Sequence, residues 1–234
     1  MADLRILARG LGFPEGPVAM GDGSVILTEI NGGWVTRVDA AGRITRLGKP
    51  AGGPNGLARA PDGSLILCNH TGRDHAGLYY AMPDGSSVVE IAYPILSANG
   101  VGLSPDERTV YVADTESARL WAFDIESPGV LRKQPFPSPH GGRFLGAGPG
   151  FCRFDSLAVT ASGNICVATL VTGQISIFAP DGRLLDQVAM PDSHPTNICF
   201  GGADMRTATI TLSGKGELAQ MQWPEPGLRL NFQA

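Results

Sequence analysis

The sequence predicts an all-β fold of the propeller class, and three observations predict it. First, one plan recurs: an oxygen-bearing head residue, a short apolar strand, an Asp-Gly-type turn and a second strand. It is clearest in Glu15-Gly16-Pro17-Val18-Ala19-Met20-Gly21-Asp22-Gly23-Ser24-Val25-Ile26-Leu27-Thr28-Glu29, and it returns from Asn55, Asn99 and Asp155 and more weakly from Thr196-Asn197. Second, a repeat of roughly 40 to 50 residues made only of short strands marks radial repetition of small sheets. Third, 32 Gly and 18 Pro punctuate the apolar runs, and no amphipathic helical period interrupts them.

The elements follow from the turns. Gly21-Asp22-Gly23, Pro61-Asp62-Gly63, Pro83-Asp84-Gly85, Ser104-Pro105-Asp106, Ala161-Ser162-Gly163 and Pro180-Asp181-Gly182 read as hairpins between apolar runs. The first repeat predicts strands at 17–20, 25–29, 34–39 and 43–48. The second predicts 57–60, 64–68, 77–82 and 86–92, and the third 101–104, 109–113, 119–124 and 130–133. The fourth predicts 157–160, 164–169, 174–178 and 183–189. The last predicts 198–201, 207–212 and 217–222, with no good fourth strand. Leu4-Arg5-Ile6-Leu7-Ala8 is a spare strand that can complete this blade. The expectation is one domain over 1–234, with five four-stranded blades and an N-terminal strand closing the last. Segment 134–154, rich in Pro and Gly, breaks the spacing and is expected to be a long loop on the face that carries the head residues.

Composition bounds the function. The chain has 234 residues, 43% of them hydrophobic and 17% charged, with a formal net charge of −4. No basic stripe or cluster appears, so nucleic acid and anionic membranes are not expected partners. No apolar run is long enough to span a bilayer, and Met1 to Gly10 does not read as a secretory leader. Cys68, Cys152, Cys166 and Cys199 show no Cys-x-x-Cys spacing and are expected to be free, buried thiols of a cytoplasmic protein. The expected partner is a small molecule; the sequence is silent on oligomeric state.

Radial symmetry brings the head residues to one end of a central channel. Glu15, Asn99 and Asp155 would present two carboxylates and one amide oxygen to one axis. Hard oxygen donors without sulfur suit Ca²⁺ first, with Mg²⁺, Mn²⁺ or Zn²⁺ as other candidates. Asn55 and Asn197 share the position, either as substrate contacts or as polar caps. Chain direction places Phe13, Arg153 and His194 on the same face, and His70, His75 and His140 with them. His70 and His194 are candidate general bases. Arg153 is a candidate for binding an anionic substrate group or for a surface ion pair. Phe13, Phe151 and Phe154 are candidates for an apolar wall or for core.

The chain resembles the gluconolactonase and regucalcin (senescence marker protein) family of calcium-dependent propellers. The matching stretches are Phe13-Pro14-Glu15-Gly16-Pro17, Gly53-Pro54-Asn55-Gly56-Leu57-Ala58, Asn99-Gly100-Val101-Gly102-Leu103-Ser104-Pro105-Asp106, Asp155-Ser156-Leu157-Ala158-Val159 and Pro195-Thr196-Asn197-Ile198-Cys199-Phe200-Gly201-Gly202. The resemblance implies a divalent ion held by Glu15, Asn99 and Asp155, lactone hydrolysis, and a base role for Asp155. It also exposes a departure: the family usually has six blades, and here the blade headed by an Asn-Asp pair is missing between Asn55 and Asn99. Asn55 is the candidate to fill the vacant role. The first functional expectation is a metal-dependent hydrolase of a lactone or related ester. The alternatives are a non-hydrolytic propeller enzyme (isomerase, lyase or synthase) and a non-catalytic protein-binding propeller. Chelation separates the first from the second, and an empty channel would mark the third.

Overall fold

Short apolar runs bounded by Asp-Gly turns leave the backbone one way to satisfy its hydrogen bonds: antiparallel hairpins stacked into small sheets. A computed structural model of the protein describes residues 4–49, 54–59, 65–69, 75–81, 88–135 and 138–230. The strands in chain order are β1 (Arg5–Ala8), β2 (Pro14–Ala19), β3 (Val25–Glu29), β4 (Trp34–Val38), β5 (Ile44–Gly48), β6 (Pro54–Arg59) and β7 (Leu65–Asn69). They continue with β8 (Ala76–Ala81), β9 (Val88–Ile95), β10 (Ala98–Leu103), β11 (Thr109–Asp114), β12 (Arg119–Ser127), β13 (Val130–Arg132) and β14 (Arg143–Ala147). The remainder are β15 (Arg153–Val159), β16 (Ile165–Leu170), β17 (Gln174–Phe178), β18 (Leu184–Ala189), β19 (Pro195–Gly201), β20 (Thr207–Leu212) and β21 (Glu217–Gln222). No described residue is in a helix, and no helix is long and apolar enough to cross a membrane.

Three sheets are meanders in chain order: β2-β3-β4-β5, β10-β11-β12-β13 and β15-β16-β17-β18. A fourth is β19-β20-β21 with β1 added antiparallel to β21, Arg5 opposite Gln220 and Ile6 opposite Ala219. The N-terminal strand therefore supplies the outer strand that the last repeat lacks. The innermost strands lie side by side: β6 with β2, β2 with β19, β19 with β15, and β15 with β10.

The core lies between sheets, and strand alternation builds it. Along β16, Ile165 and Val167 face the β10–β13 sheet, while Cys166 and Ala168 face the β19–β21 sheet. Leu7, Val25, Leu27, Val38 and Leu218 fill the space between the last sheet and the first. The larger side chains sealed in these layers include Phe154, Phe178 and Trp223, each worth about 2–3 kcal/mol of burial.

Three expectations are corrected. Among the described residues, the second repeat forms two two-stranded sheets, β6-β7 and β8-β9, and not one four-stranded sheet. Ala92 and Ile95 of β9 pack on Val110, Val112, Trp121 and Phe123, so the β8-β9 hairpin is held by the face of the following sheet. Segment 134–154 is also not one long loop. Arg143–Ala147 returns as β14 and pairs with the first half of β12, Trp121 opposite Phe144, while β13 pairs with its second half. His140, expected on the head-residue face, is packed in the core at 4.4 Å from the Trp121 ring centroid and 5.5 Å from Phe123. Its Nδ1 accepts the Gly142 N–H at 3.1 Å, and burial lowers its pKa, so it is a neutral packing group.

The approach of β10 to β15 depends on glycine. A Cβ on Gly100 would lie 2.7 Å from the backbone nitrogen of Leu157 and 2.8 Å from the carbonyl oxygen of Asp155. A Cβ on Gly102 would meet only the end of the Leu157 side chain, at 2.7 Å, and Val159 Cγ2. Gly100→Ala should therefore lower stability by about 2 kcal/mol, about 6 °C in melting temperature, and Gly102→Ala by clearly less. Thermal melts of the two variants side by side check this ordering.

Candidate functional site

Every innermost strand carries one extra residue at its head. Between Phe154↔Thr169 and Leu157↔Val167, β15 advances one residue more than β16. The same offset separates Ala98↔Asp114 from Val101↔Val112, Pro54↔Asn69 from Leu57↔Leu67, and Glu15↔Thr28 from Val18↔Ile26. In β19 it falls between Pro195↔Leu212 and Asn197↔Thr211, which makes Thr196 the equivalent of Asp155 and Asn197 the residue after it. Such bulges release a side chain from the in-out alternation and re-aim it. The local sequence supports them: Gly16 has a φ of 51°, the left-handed region that glycine enters without a Cβ clash. Just upstream, Phe13 holds a φ of 54°, pinned where its carbonyl accepts the Ile30 N–H at 3.1 Å.

The bulges bring Glu15, Asn99 and Asp155 into one cluster. Glu15 is 2% exposed and Asp155 6%. Asn99 Nδ2 donates to Asp155 Oδ1 at 2.6 Å and to Thr115 Oγ1 at 3.3 Å, while Asn99 Oδ1 accepts from Ser156 Oγ at 3.4 Å. Glu15 Oε2 accepts the Gly16 N–H at 3.1 Å. Burial pushes the Glu15 carboxyl up to about 7, against hydrogen bonds from Gly16, Thr196 and Asn197. Burial, and then the charge of Glu15, holds Asp155 well above the usual carboxylate range, against hydrogen bonds from Asn99 and the Ser156 N–H. Among the described residues the partners of this pair are neutral donors, and no ion pair reaches either carboxylate. Among them, too, no third His, Cys, Asp or Glu joins the pair, and Asn99 is the neutral side chain bonded to it.

This donor set fits a hard dication. Two carboxylates sealed from water repel each other unless a proton or a cation sits with them, and among the described residues their immediate ligand atoms are oxygens. Glu29 makes the contrast: burial raises its carboxyl, but Thr36 Oγ1 at 2.6 Å, the Gly12 N–H at 2.6 Å and Arg46 hold it below the usual range. It is a neutralised structural carboxylate.

The other candidates are distributed as follows. Asn197 stands beside Thr196, and its side chain works against the rise of the Glu15 carboxyl. Arg153 pairs with Glu116 at 2.9 Å. Exposed His194 has Nδ1 2.9 Å from Ser193 Oγ, and its backbone N–H donates to Asp192. Phe13 is half-buried; Phe154 is core, edge-on to Phe178 at 5.7 Å; Phe151 is 77% exposed. Asn55 lies on β6, with its side chain outside the description, and His70 lies outside the described residues. Cys152 and Cys166 are free and buried, and burial raises both thiols. Sequence reading missed Thr115 and Ser156 around Asn99. Only the repeat register could have pointed to Ser156, as the residue that replaces the glycine after Glu15, Asn55 and Asn99.

Small antiparallel sheets set side by side, with buried oxygen donors at the heads of their inner strands, are an arrangement of the β-propeller class, and the comparisons agree. Residues 69–214 match the family profile described as SMP-30/Gluconolactonase/LRE-like region. That is more than half of the sequence, and the chain belongs to this family. It is similar to 6-deoxy-6-sulfogluconolactonase of Pseudomonas putida, 32% identical over 145 residues that make up 58% of this chain and 46% of that protein. It is similar to lactonase drp35 of Staphylococcus saprophyticus, 34% identical over 116 residues, 49% of this chain and 34% of that protein. The matched part is thus less than half the length of these curated relatives. Among solved structures, a regucalcin from Agrobacterium tumefaciens superposes with a TM-score of 0.77 at 18% identity, covering 98% of both chains. A gluconolactonase from Xanthomonas campestris gives 0.69 at 24%, covering 95% of this chain and 90% of that one. At these identities the likeness is one of fold.

The raised carboxyl of Glu15 has a consequence for stability. Between pH 4.5 and about 7 the folded chain keeps a proton that the unfolded chain has released. Stability of the metal-free protein therefore falls as pH rises through that window, by about 3 kcal/mol for Glu15 alone. Melting chelator-treated protein across the window should show this fall, and Glu15→Gln should flatten it.

Proposed function

We propose that this chain hydrolyses a lactone or related ester at the head-residue end of a five-bladed ring. One divalent cation, Ca²⁺ before Mg²⁺, Mn²⁺ or Zn²⁺, would be held by Glu15, Asn99 and Asp155. The observation that carries this reading is the buried pair Glu15–Asp155, unneutralised by any cationic side chain among the described residues, with the Asn99 amide bonded to Asp155 at 2.6 Å. Names of relatives support the substrate class: a 6-deoxy-6-sulfogluconolactonase and a lactonase. Five bulged inner strands, with β1 completing the last sheet, support the blade count.

A bound cation would supply the Lewis-acid polarisation of the ester carbonyl and charge stabilisation as its oxygen becomes negative. The chain's own residues do the rest. Asp155, in a site where its basicity is raised, accepts a proton from the water that adds to the carbonyl carbon. The ring C–O bond breaks, and Asp155 returns the proton to the departing alkoxide oxygen, leaving a hydroxy acid. Asn99 fixes the Asp155 carboxylate through Nδ2, and Ser156 and Thr115 fix Asn99. Asn197 and Phe13 lie beside Glu15 and are assigned to substrate contact, with Asn55 at the equivalent head position of β6. Arg153, engaged with Glu116, would have to exchange that partner to bind a substrate anion. Exposed His194 is the second candidate for proton transfer at the channel mouth. The whole domain, 1–234, is assigned to the cytoplasm with a small-molecule substrate.

Chelator-treated protein should lose activity on a panel of aldonolactones and alkyl lactones, followed by acid release, and regain it with CaCl₂. Asp155→Asn should lower kcat by about 100-fold or more and abolish the Ca²⁺-dependent rise in melting temperature. Full activity of chelated wild-type protein would instead favour the metal-free enzyme.

A further inference from the structure

One apolar face of the β10–β13 sheet is buried along β11 and β12 and open along β10. Cross-strand register puts Val101, Val112 and Trp121 in one row and Leu103, Val110 and Phe123 in the next. Directly opposed residues share a face. Ala92 and Ile95 of β9 cover that face over β11 and β12, where Val110, Val112, Trp121 and Phe123 are buried. The rows do not stay buried to their inner ends: on β10, Val101 is 58% exposed and Leu103 41%. The large apolar side chains of the next innermost strands, Leu157 and Val159 on β15 and Ile198 and Phe200 on β19, are all buried.

The glycines of β10 explain which way the two side chains point. Gly100 and Gly102 face β15, where a Cβ would meet Leu157 and Val159. Alternation then turns Val101 and Leu103 away from β15. β2, β19 and β15 each lie between two other innermost strands, whereas β10 has β15 on one side and, among the described residues, the β8-β9 hairpin on the other. A single exposed apolar residue is ordinary. This pair is different because it continues a buried apolar face and begins two residues after Asn99, which is bonded to Asp155. At about 3.3 Å per residue, Val101 lies about 7 Å and Leu103 about 13 Å along the strand from Asn99.

We propose that Val101 and Leu103 form the subsite for an alkyl substituent of the substrate, so that the chain selects alkyl lactones over sugar lactones. The inference rests on the lactone-hydrolase reading above. Continuity with the head residues names the occupant: a lactone whose ester group lies at Asn99 and Asp155 brings a short ring substituent within reach of Val101 and a longer one within reach of Leu103. The two side chains offer no hydrogen-bonding group. A sugar lactone laid along them would bury hydroxyls without partners, whereas an alkyl chain gains about threefold for each methylene that leaves water.

The test is acid release by the full chain with CaCl₂ present, on δ-valerolactone, δ-hexalactone, δ-octanolactone, δ-decanolactone, δ-dodecanolactone and glucono-δ-lactone. In wild type, kcat/KM should rise about threefold per methylene along the alkyl series, and glucono-δ-lactone should be the poorer substrate. Val101→Ser should flatten the rise from δ-octanolactone onward, and Leu103→Ser only from δ-decanolactone onward. Both variants should stay within about twofold of wild type on δ-valerolactone, as surface substitutions that spare the reacting groups. Val130→Ser removes another exposed apolar side chain, on the outer strand β13, and should leave the whole series unchanged. No rise with chain length, a preference for glucono-δ-lactone, or an undiminished rise in both Ser variants at β10 would overturn the proposal and leave lactone hydrolysis standing. Equal losses on short and long lactones would also overturn it, by making the pair part of the folding frame or of a contact between copies. Wild-type protein inactive on every lactone would overturn the hydrolase reading, and this inference with it.

Discussion

The extra residue at the head of each innermost strand is the constraint on which the site depends. In a regular strand, successive side chains alternate between the two faces of a sheet, and both faces here are packed against neighbouring sheets. No head side chain would then be free of the packing between sheets. One residue out of register breaks the alternation at the strand's first turn, and Glu15, Asn99 and Asp155 meet there because their sheets lie side by side. The local cost is a disrupted ladder. It is borne where second and third strands pair without interruption, as along β16 and β17. Where Gly follows the head residue, it answers one of two needs: a left-handed backbone at Gly16, or backbone-to-backbone contact at Gly100.

Electrostatics then separates residues of one chemical type into different roles. Glu15 and Glu29 sit at the two ends of one hairpin, and both are almost fully buried. Glu29 has Arg46, Thr36 and the Gly12 N–H, and its charge is settled within the protein. Among the described residues, Glu15 and Asp155 have only neutral donors and each other. A pair left in that state destabilises the apo fold at neutral pH, and the layers between sheets must hold it in place. The cores around Leu27, Phe154 and Trp223 are that frame. Environment, not residue identity, assigns the function.

Much of this was legible in the chain itself. Turn dipeptides and repeated heads predicted the hairpins to within a few residues, and the spare strand Leu4–Ala8 was recognised by counting strands per repeat. Inner strands began three or four residues earlier than expected, because a bulged head looks like a loop when read for alternation. Arg143–Ala147 was hidden for a related reason: five residues amid Pro and Gly carry no period. The separation of β6-β7 from β8-β9 was equally unreadable, since apolar alternation says which face is buried but not against which sheet.

The sequence by itself determined the repeat, the strand-and-turn grammar and the set of oxygen-bearing heads, because these depend on neighbours within a few residues. Tertiary structure decided which heads converge, that Thr196 and not Asn197 occupies the fifth head position, that His140 is core, and that Arg153 spends its charge on Glu116. Those outcomes depend on register and on packing between sheets far apart in the chain, and a bulge of one residue is enough to change them.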